Sequence, residues 1–381
     1  MFELHPEYRL ASLERIGNKH LLQALRRQAI HRRMIRIVFP MCTNAVARAG
    51  FLAALCAVHL SGTAPAAAKD AYRTFDVPGA DRTFPLIVNG KAEIAGEWND
   101  SSGIICGFFR ATDGTIAKFE LSGSKFMHVA DMNDGGVIVG AFLDASYLQH
   151  GYLRAPDGTI SVFDAPGSLY GTTQIDGVNG KGTFTGSYRD ANGNWFGFFQ
   201  NSKGKIRTFS IDGATYIQPS SINAAGAIAG LYEDNNSLRH GFARAPDGTV
   251  STFDPPGSAW IEVFAMNSAG AIVGRYYQAS GPPHGFARAA DGTIATIDDP
   301  RGAQGTYATG INDRNEIAGS FTDSNGQLHS FLLSAHGRFH NFDPKNATST
   351  YAWGINGDGL VTGYYDDGNF HGYLRLSSRG R

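Results

Sequence analysis

Histidine and aspartate recur in this sequence at fixed spacings, and they are the first residues that could do chemistry. One tripeptide repeats as His150-Gly151-Tyr152, His240-Gly241-Phe242, His284-Gly285-Phe286 and His371-Gly372-Tyr373. Aspartate repeats at Asp76, Asp164, Asp254, Asp298 and Asp343, each before a turn. Imidazoles gathered in one place could bind a metal, and an imidazole beside a carboxylate can move protons. An aromatic also recurs in every copy of a longer unit, at Phe84, Phe126, Tyr170, Tyr216, Trp260, Tyr307 and Tyr351. Rings beside polar side chains such as Asn194, Trp195 and Gln327 are what sugars stack on and what protein interfaces use as anchors.

These residues must be held by a repeating scaffold. An asparagine closes an apolar stretch at Asn89, Asn133, Asn179, Asn223, Asn267, Asn312 and Asn356, a period of 44 to 46 residues. Phe75, Phe119, Phe163, Phe209, Phe253, Ile297 and Phe342 keep the same period. So do Gly107, Gly151, Gly197, Gly241, Gly285, Ser330 and Gly372. Within one unit, Ile261 to Asn267, Ala271 to Tyr277, His284 to Arg288 and Thr293 to Asp298 read as four short strands. Their β-branched and aromatic residues fill a pleat, and Gly, Asn and Asp between them suit tight turns. A four-stranded unit of this length is the period of a β-propeller blade. Tyr72 to Asp76 is a fourth strand with no strands before it, and His371 to Arg375 a third strand with none after. The expectation is an all-β, seven-bladed β-propeller of four-stranded antiparallel blades, with the N-terminal strand closing the last blade.

The G-I-N-type element, the V-G-Y-type strand and the His-Gly-aromatic tripeptide resemble the bacterial family of extracellular HAF repeats, named for His-Ala-Phe. The resemblance covers roughly residues 72–376. It departs in using Gly for Ala, and Cys106 stands where the first repeat would carry His. The family implies an exported repeat protein and brings no established catalytic residues.

Strand three lies third from a propeller axis, so its histidines cannot converge on one ion; pairing with carboxylates or carbonyls between blades is expected instead. Asx turns account for Asp157-Gly158-Thr159 and Asp247-Gly248-Thr249. Asp190 to Gly193 and Asp323 to Gly326 open like calcium loops but lack the closing Glu. The sequence holds no phosphate-binding loop, dinucleotide fingerprint, nucleophile elbow or zinc-protease helix motif. No catalytic residue, metal or cofactor is therefore expected. A propeller hydrolase or lyase over the central channel is the alternative, with Asp131, Asp176 and Glu262 as inner-strand candidates. A structural or adhesive surface protein is the third possibility.

The loops joining strands two to three and four to one vary between repeats and emerge on one face, which is the expected binding surface. Its candidate ligand residues are Trp260, Tyr307, Tyr351, Tyr170, Tyr216 and Trp195, and the expected partner is a glycan or an envelope protein. Residues 1–68 hold 9 Lys/Arg against 3 Asp/Glu, and residues 69–381 hold 24 against 31. That acidic balance argues against nucleic acid. Ala49 to Leu60 is a 12-residue apolar run, the length of a signal-peptide core and too short to span a bilayer. Residues 34–68 read as a signal peptide cleaved after Ala68, and residues 1–33 as an upstream extension or a mis-called start. An uncleaved anchor at 49–60 is the alternative. Residues 69–381 form the repeat domain. Cleavage leaves Cys106 as its sole cysteine, so no intrachain disulfide is expected, and a periplasmic or extracellular monomer with no stable membrane span follows.

Overall fold

The structure, a computed structural model, describes residues 71–376; the expected signal and upstream segments lie outside the described residues. The described residues contain 28 strands and no helix. β1 is Ala71–Phe75, followed by β2 (Arg82–Val88), β3 (Ile94–Asn99), β4 (Ile105–Arg110) and β5 (Ile116–Phe119). The next unit is β6 (Phe126–Met132), β7 (Ile138–Leu143), β8 (Gln149–Arg154) and β9 (Ile160–Phe163). Then come β10 (Gln174–Val178), β11 (Phe184–Arg189), β12 (Trp195–Gln200) and β13 (Ile206–Phe209). β14 (Tyr216–Ile222), β15 (Ile228–Glu233), β16 (Arg239–Arg244) and β17 (Val250–Phe253) repeat the pattern. So do β18 (Ser258–Met266), β19 (Ile272–Gln278), β20 (His284–Arg288) and β21 (Ile294–Ile297). β22 (Thr306–Ile311), β23 (Ile317–Thr322), β24 (Leu328–Leu333) and β25 (Phe339–Phe342) precede β26 (Ser349–Ile355), β27 (Val361–Asp366) and β28 (Phe370–Leu376).

Five of the sheets are four-stranded, each a set of consecutive antiparallel strands. The remaining one has eight strands. Two antiparallel sets, β2–β3–β4–β5 and β26–β27–β28–β1, meet in it through one parallel pair, Arg82 with Phe370. β1 pairs β28 over five residues, Ala71 with Leu376 through Phe75 with Gly372, as the unmatched chain ends led one to expect. Residues far apart in sequence thus complete one sheet and cover an edge.

The repeated glycines and aromatics explain each other. Gly107, Gly197 and Gly241 lie opposite Phe119, Phe209 and Phe253, whose rings occupy the space that a Cβ would need. At the next-to-last unit Ser330 faces Phe342 and reaches the Tyr373 hydroxyl at 3.3 Å. Sheets pack on one another through aromatic and aliphatic clusters, such as Val139, Ile175, Phe184, Tyr188 and Phe198.

The seven asparagines close a circle at one end of the first strands. Each Oδ1 accepts backbone N–H groups of its own turn, Asn179 those of Lys181 and Thr183 at 3.0 and 3.1 Å. Each Nδ2 donates to a carbonyl of the next unit: Asn89 to Asn133, Asn133 to Asn179, Asn179 to Asn223, Asn223 to Ser268, Asn267 to Asn312 and Asn312 to Asn356. Asn356 returns the bond to the Asn89 carbonyl at 2.8 Å. The first strands β2, β6, β10, β14, β18, β22 and β26 therefore stand side by side around an enclosed space.

Candidate functional site

The side chains that repeat are scaffold, and the histidines belong with them. His150, His240, His284, His329 and His371 each place Nδ1 2.8–3.1 Å from the aspartate that follows the fourth strand, Asp164, Asp254, Asp298, Asp343 and Asp76. These bonds lie within one sheet, not between sheets as expected, because strands three and four are antiparallel neighbours whose ends meet. The ring of each also packs on a second-strand aromatic, Tyr232 with His240 at 5.0 Å for example. Among the described residues no group of three His, Cys, Asp or Glu is arranged to hold a metal ion. In the first repeat Cys106 takes the histidine's place, its Sγ 3.6 Å from Glu120, and burial pushes its thiol up to about 12.

His371 has a consequence for stability. Burial disfavours its charge, but the hydrogen bond and charge of Asp76, with the charge of Asp367, outweigh that and raise its pKa. The stabilisation is fully present below the ordinary histidine value of about 6.5 and is lost as pH rises through the raised value. Thermal melts of His371→Gln should therefore lie below wild type at acidic pH and draw level in the alkaline range. An equal gap at both would show that the imidazolium contributes nothing.

The positions that do not repeat tell a different story. Every first strand carries a bulge, three residues before its asparagine, at Leu86, Ala130, Asp176, Ser220, Phe264, Thr309 and Trp353. Two residues earlier stand Phe84, His128, Gln174, Gln218, Glu262, Tyr307 and Tyr351, opposite Glu97, Ala141, Ser187, Leu231, Arg275, Ser320 and Tyr364 of the second strands. Asparagine ends each first strand at the uniform face, so this level lies toward the face of the variable loops. A bulge shifts the pleat and re-aims the side chains beside it.

This mouth has two unlike arcs. On the polar arc the Glu97 carboxylate takes Nδ1 of His128 at 2.7 Å and the Val129 N–H at 3.0 Å. Gln149 Nε2 donates to Gln174 Oε1 at 3.0 Å, and Gln174 Nε2 donates to Asp176 at 3.0 and 3.3 Å. Burial pushes the Asp176 carboxyl up to about 7 against the opposing hydrogen bond from Gln174. The Tyr216 hydroxyl donates to Gln218 Oε1 at 3.3 Å. On the other arc Arg275 pairs with Glu262, and its guanidinium lies 5.3 Å from the Tyr307 ring centre. Tyr351 stacks on Tyr364 at 5.5 Å and meets Trp353 at 5.1 Å. Phe84 meets Tyr364 at 5.1 Å, and Phe264 meets Trp353 at 6.1 Å although β22 stands between their strands. That last contact requires both rings to face the enclosed space.

The six expected ligand residues divide. Tyr307 and Tyr351 are part of the aromatic arc. Trp260 is half-buried with the Arg239 guanidinium 3.8 Å over its ring, and Trp195 meets Tyr216 edge to face at 4.8 Å. Tyr170 alone of the six is exposed, at 65%, on the connection before β10. The others were expected in loops but lie in strands, because the strands begin earlier than their apolar runs. Of the acidic candidates, Asp131 is structural: its oxygens accept the N–H groups of Met132 and Val178, at 2.8 and 2.9 Å. Asp176 and Glu262 do reach the mouth. Glu97, His128, Gln174, Gln218, Arg275 and Tyr364 were missed, and the signal that finds them is their place: five residues before the asparagine, or opposite it. A separate groove of about 620 Å³ runs past Arg301, Phe321, His329 and Asp343. It is built on the repeated His–Asp pair.

No family model matches the sequence, and no curated protein matches it. Solved structures do. A streptogramin B lyase is 13% identical with a TM-score of 0.53, over 81% of this chain and 98% of that one. A catalytically inactive virginiamycin B lyase from Staphylococcus aureus with quinupristin is 16% identical with a TM-score of 0.55, over 81% and 100%. A prolyl endopeptidase is 10% identical with a TM-score of 0.55, over 80% of this chain and 51% of that one, so this chain spans about half its length. At such identities the likeness concerns the fold alone, and that fold is an all-β propeller.

Proposed function

We propose that this chain is an exported, non-enzymatic β-propeller module that binds a glycan at the mouth enclosed by its first strands. The repeats are read as seven blades of the HAF kind, with β1 as the outer strand of the last. Seven asparagines bonded in a circle, each ending a first strand, support that count.

The observation that carries the binding reading is the division of the mouth into an aromatic arc and an amide and carboxylate arc. A pyranose has apolar faces and a polar rim, and mostly apolar walls with a few placed polar groups are the usual make-up of small-ligand sites. The test is a glycan and polysaccharide array probed with the purified protein, followed by Trp353→Ala and Tyr307→Ala. Loss of a stacking ring should weaken a selective hit about tenfold, the scale of 1–2 kcal/mol. A blank array on folded protein would sink the glycan and direct the search to an envelope protein.

The Glu97–His128 pair favours a second reading, an acid–base enzyme, because a carboxylate on Nδ1 orients the other ring nitrogen. Mass spectrometry of array hits after incubation separates the two: cleavage products that vanish with His128→Asn would make the protein an enzyme.

A further inference from the structure

Among the described residues, each buried or half-buried acid around the mouth is matched by the chain, except one. Glu97 has His128 and the Val129 N–H, Glu262 has Arg275, and Asp131 has two backbone N–H groups. Asp176, only 6% exposed, has the Gln174 amide and lies beside the Gln218 amide. No Lys or Arg among the described residues forms an ion pair with it. The charged and titratable groups that surround it are engaged elsewhere. His128 of β6 is tied to Glu97 of β3, and the Tyr216 hydroxyl of β14 is tied to Gln218. Arg239 at the head of β16 stacks on Trp260 and lies 3.8 Å from Glu233.

Asp176 sits on the bulge of β10 and is within reach of side chains from the first strands on both sides, His128 and Gln218. It occupies the same bulge position as Phe264 and Trp353, whose rings meet across the intervening β22, and so is turned toward the same enclosed space. A carboxylate buried beside two amides, with the nearby His128 imidazole committed to Glu97, is costly to charge, and burial raises its pKa for that reason. A ligand cation would remove the cost. One carboxylate is too few for a hard metal ion, which takes six or more oxygens. An ammonium needs only acceptors for three N–H donors: the two Asp176 oxygens supply them and its charge balance, and the Gln174 and Gln218 amide oxygens, which accept from Gln149 and Tyr216, each keep a second lone pair.

We propose that the polar arc of the mouth is a site for a primary ammonium group, with Asp176 as its counter-ion. This rests on the reading of the mouth as a glycan site, and it narrows the ligand to deacetylated amino sugars: the ring stacks on the aromatic arc while the ammonium faces Asp176.

The experiment compares a fully deacetylated glucosamine tetramer with the N-acetylated tetramer, by calorimetry on the full chain and on Asp176→Asn. The amine should bind at least about tenfold more tightly than the acetylated probe, and in Asp176→Asn the two probes should bind with equal affinity. Should the variant fail to fold, wild type alone decides. At about pH 6, titration in two buffers of different ionisation enthalpy should show a proton released on binding the amine and none on binding the acetylated probe. Equal affinities with no proton release would overturn the ammonium site and leave the glycan reading standing. Binding of neither probe, with a blank array, would overturn both.

Discussion

A chain lacking residues 71–76 should fail to fold, or should melt far below the intact protein and aggregate on warming. The segment contributes five ladder pairs to β28. Its Tyr72 ring meets Phe342 and Tyr373 at 6.4 and 6.1 Å, and Phe75 meets Phe108 at 6.1 Å with the Arg110 guanidinium 4.8 Å from its ring centre. Asp76 is the partner of His371. Two half-buried aromatics and several backbone hydrogen bonds amount to about 5 kcal/mol or more. That rivals the whole stability of an ordinary domain, about 5–15 kcal/mol. The truncation also bares β28 as an open edge, a template for pairing between molecules. Scanning calorimetry with light scattering reads both effects. A truncated chain that melts with the intact one would mean that closure by β1 is dispensable.

The second large effect is expected from a single methyl group. Gly363, in the second strand β27, faces the bulge of β26, and a Cβ there would run into the carbonyl oxygen of Tyr351 and press on the backbone of Ala352. Backbone on a paired strand has nowhere to go. Gly96, Gly140, Gly186, Gly230, Gly274 and Gly319 meet the same carbonyl in the other units, that of the residue at the level of the mouth. Gly363→Ala should cost more than about 4 kcal/mol, at the extreme of single substitutions. Gly357→Ala, with no atom within 4 Å of its added Cβ, is the control and should shift stability by about 0.5 kcal/mol or less. Equal denaturation midpoints for the two would falsify the claim that this close approach sets the register. The requirement joins fold to site, because the glycine that lets the bulge form also sets where Tyr351 stands.

Much of this fold was legible in the sequence. A single residue type at one spacing could be accident, but Asn, Phe and Gly keeping one period require a repeated physical unit. Each has a distinct cause here: Asn bonds to the next unit, Phe fills the space over Gly, and Gly makes that space. His284–Arg288 was found to the residue, because a turn or loop signal flanks it on either side. Trp260 was placed in a connection and lies in β18, which begins at Ser258. Its ring is under Arg239, a contact between units that no local pattern announces.

The sequence by itself determined the period, the strand content, the turns, and that the chain's first and last strands lack what the other supplies. It could do so because those features come from local backbone preferences and from residues that every unit must share. Only the tertiary structure decided which unshared residues meet. His128 and Glu97, or Asp176 and Gln218, stand on different strands 31 to 42 positions apart, and the bulge in each first strand breaks the alternation from which facing is normally read. Repetition marks what holds a ring together; the chemistry of its mouth lies in positions where repetition fails, and only closing the ring brings those positions to one place.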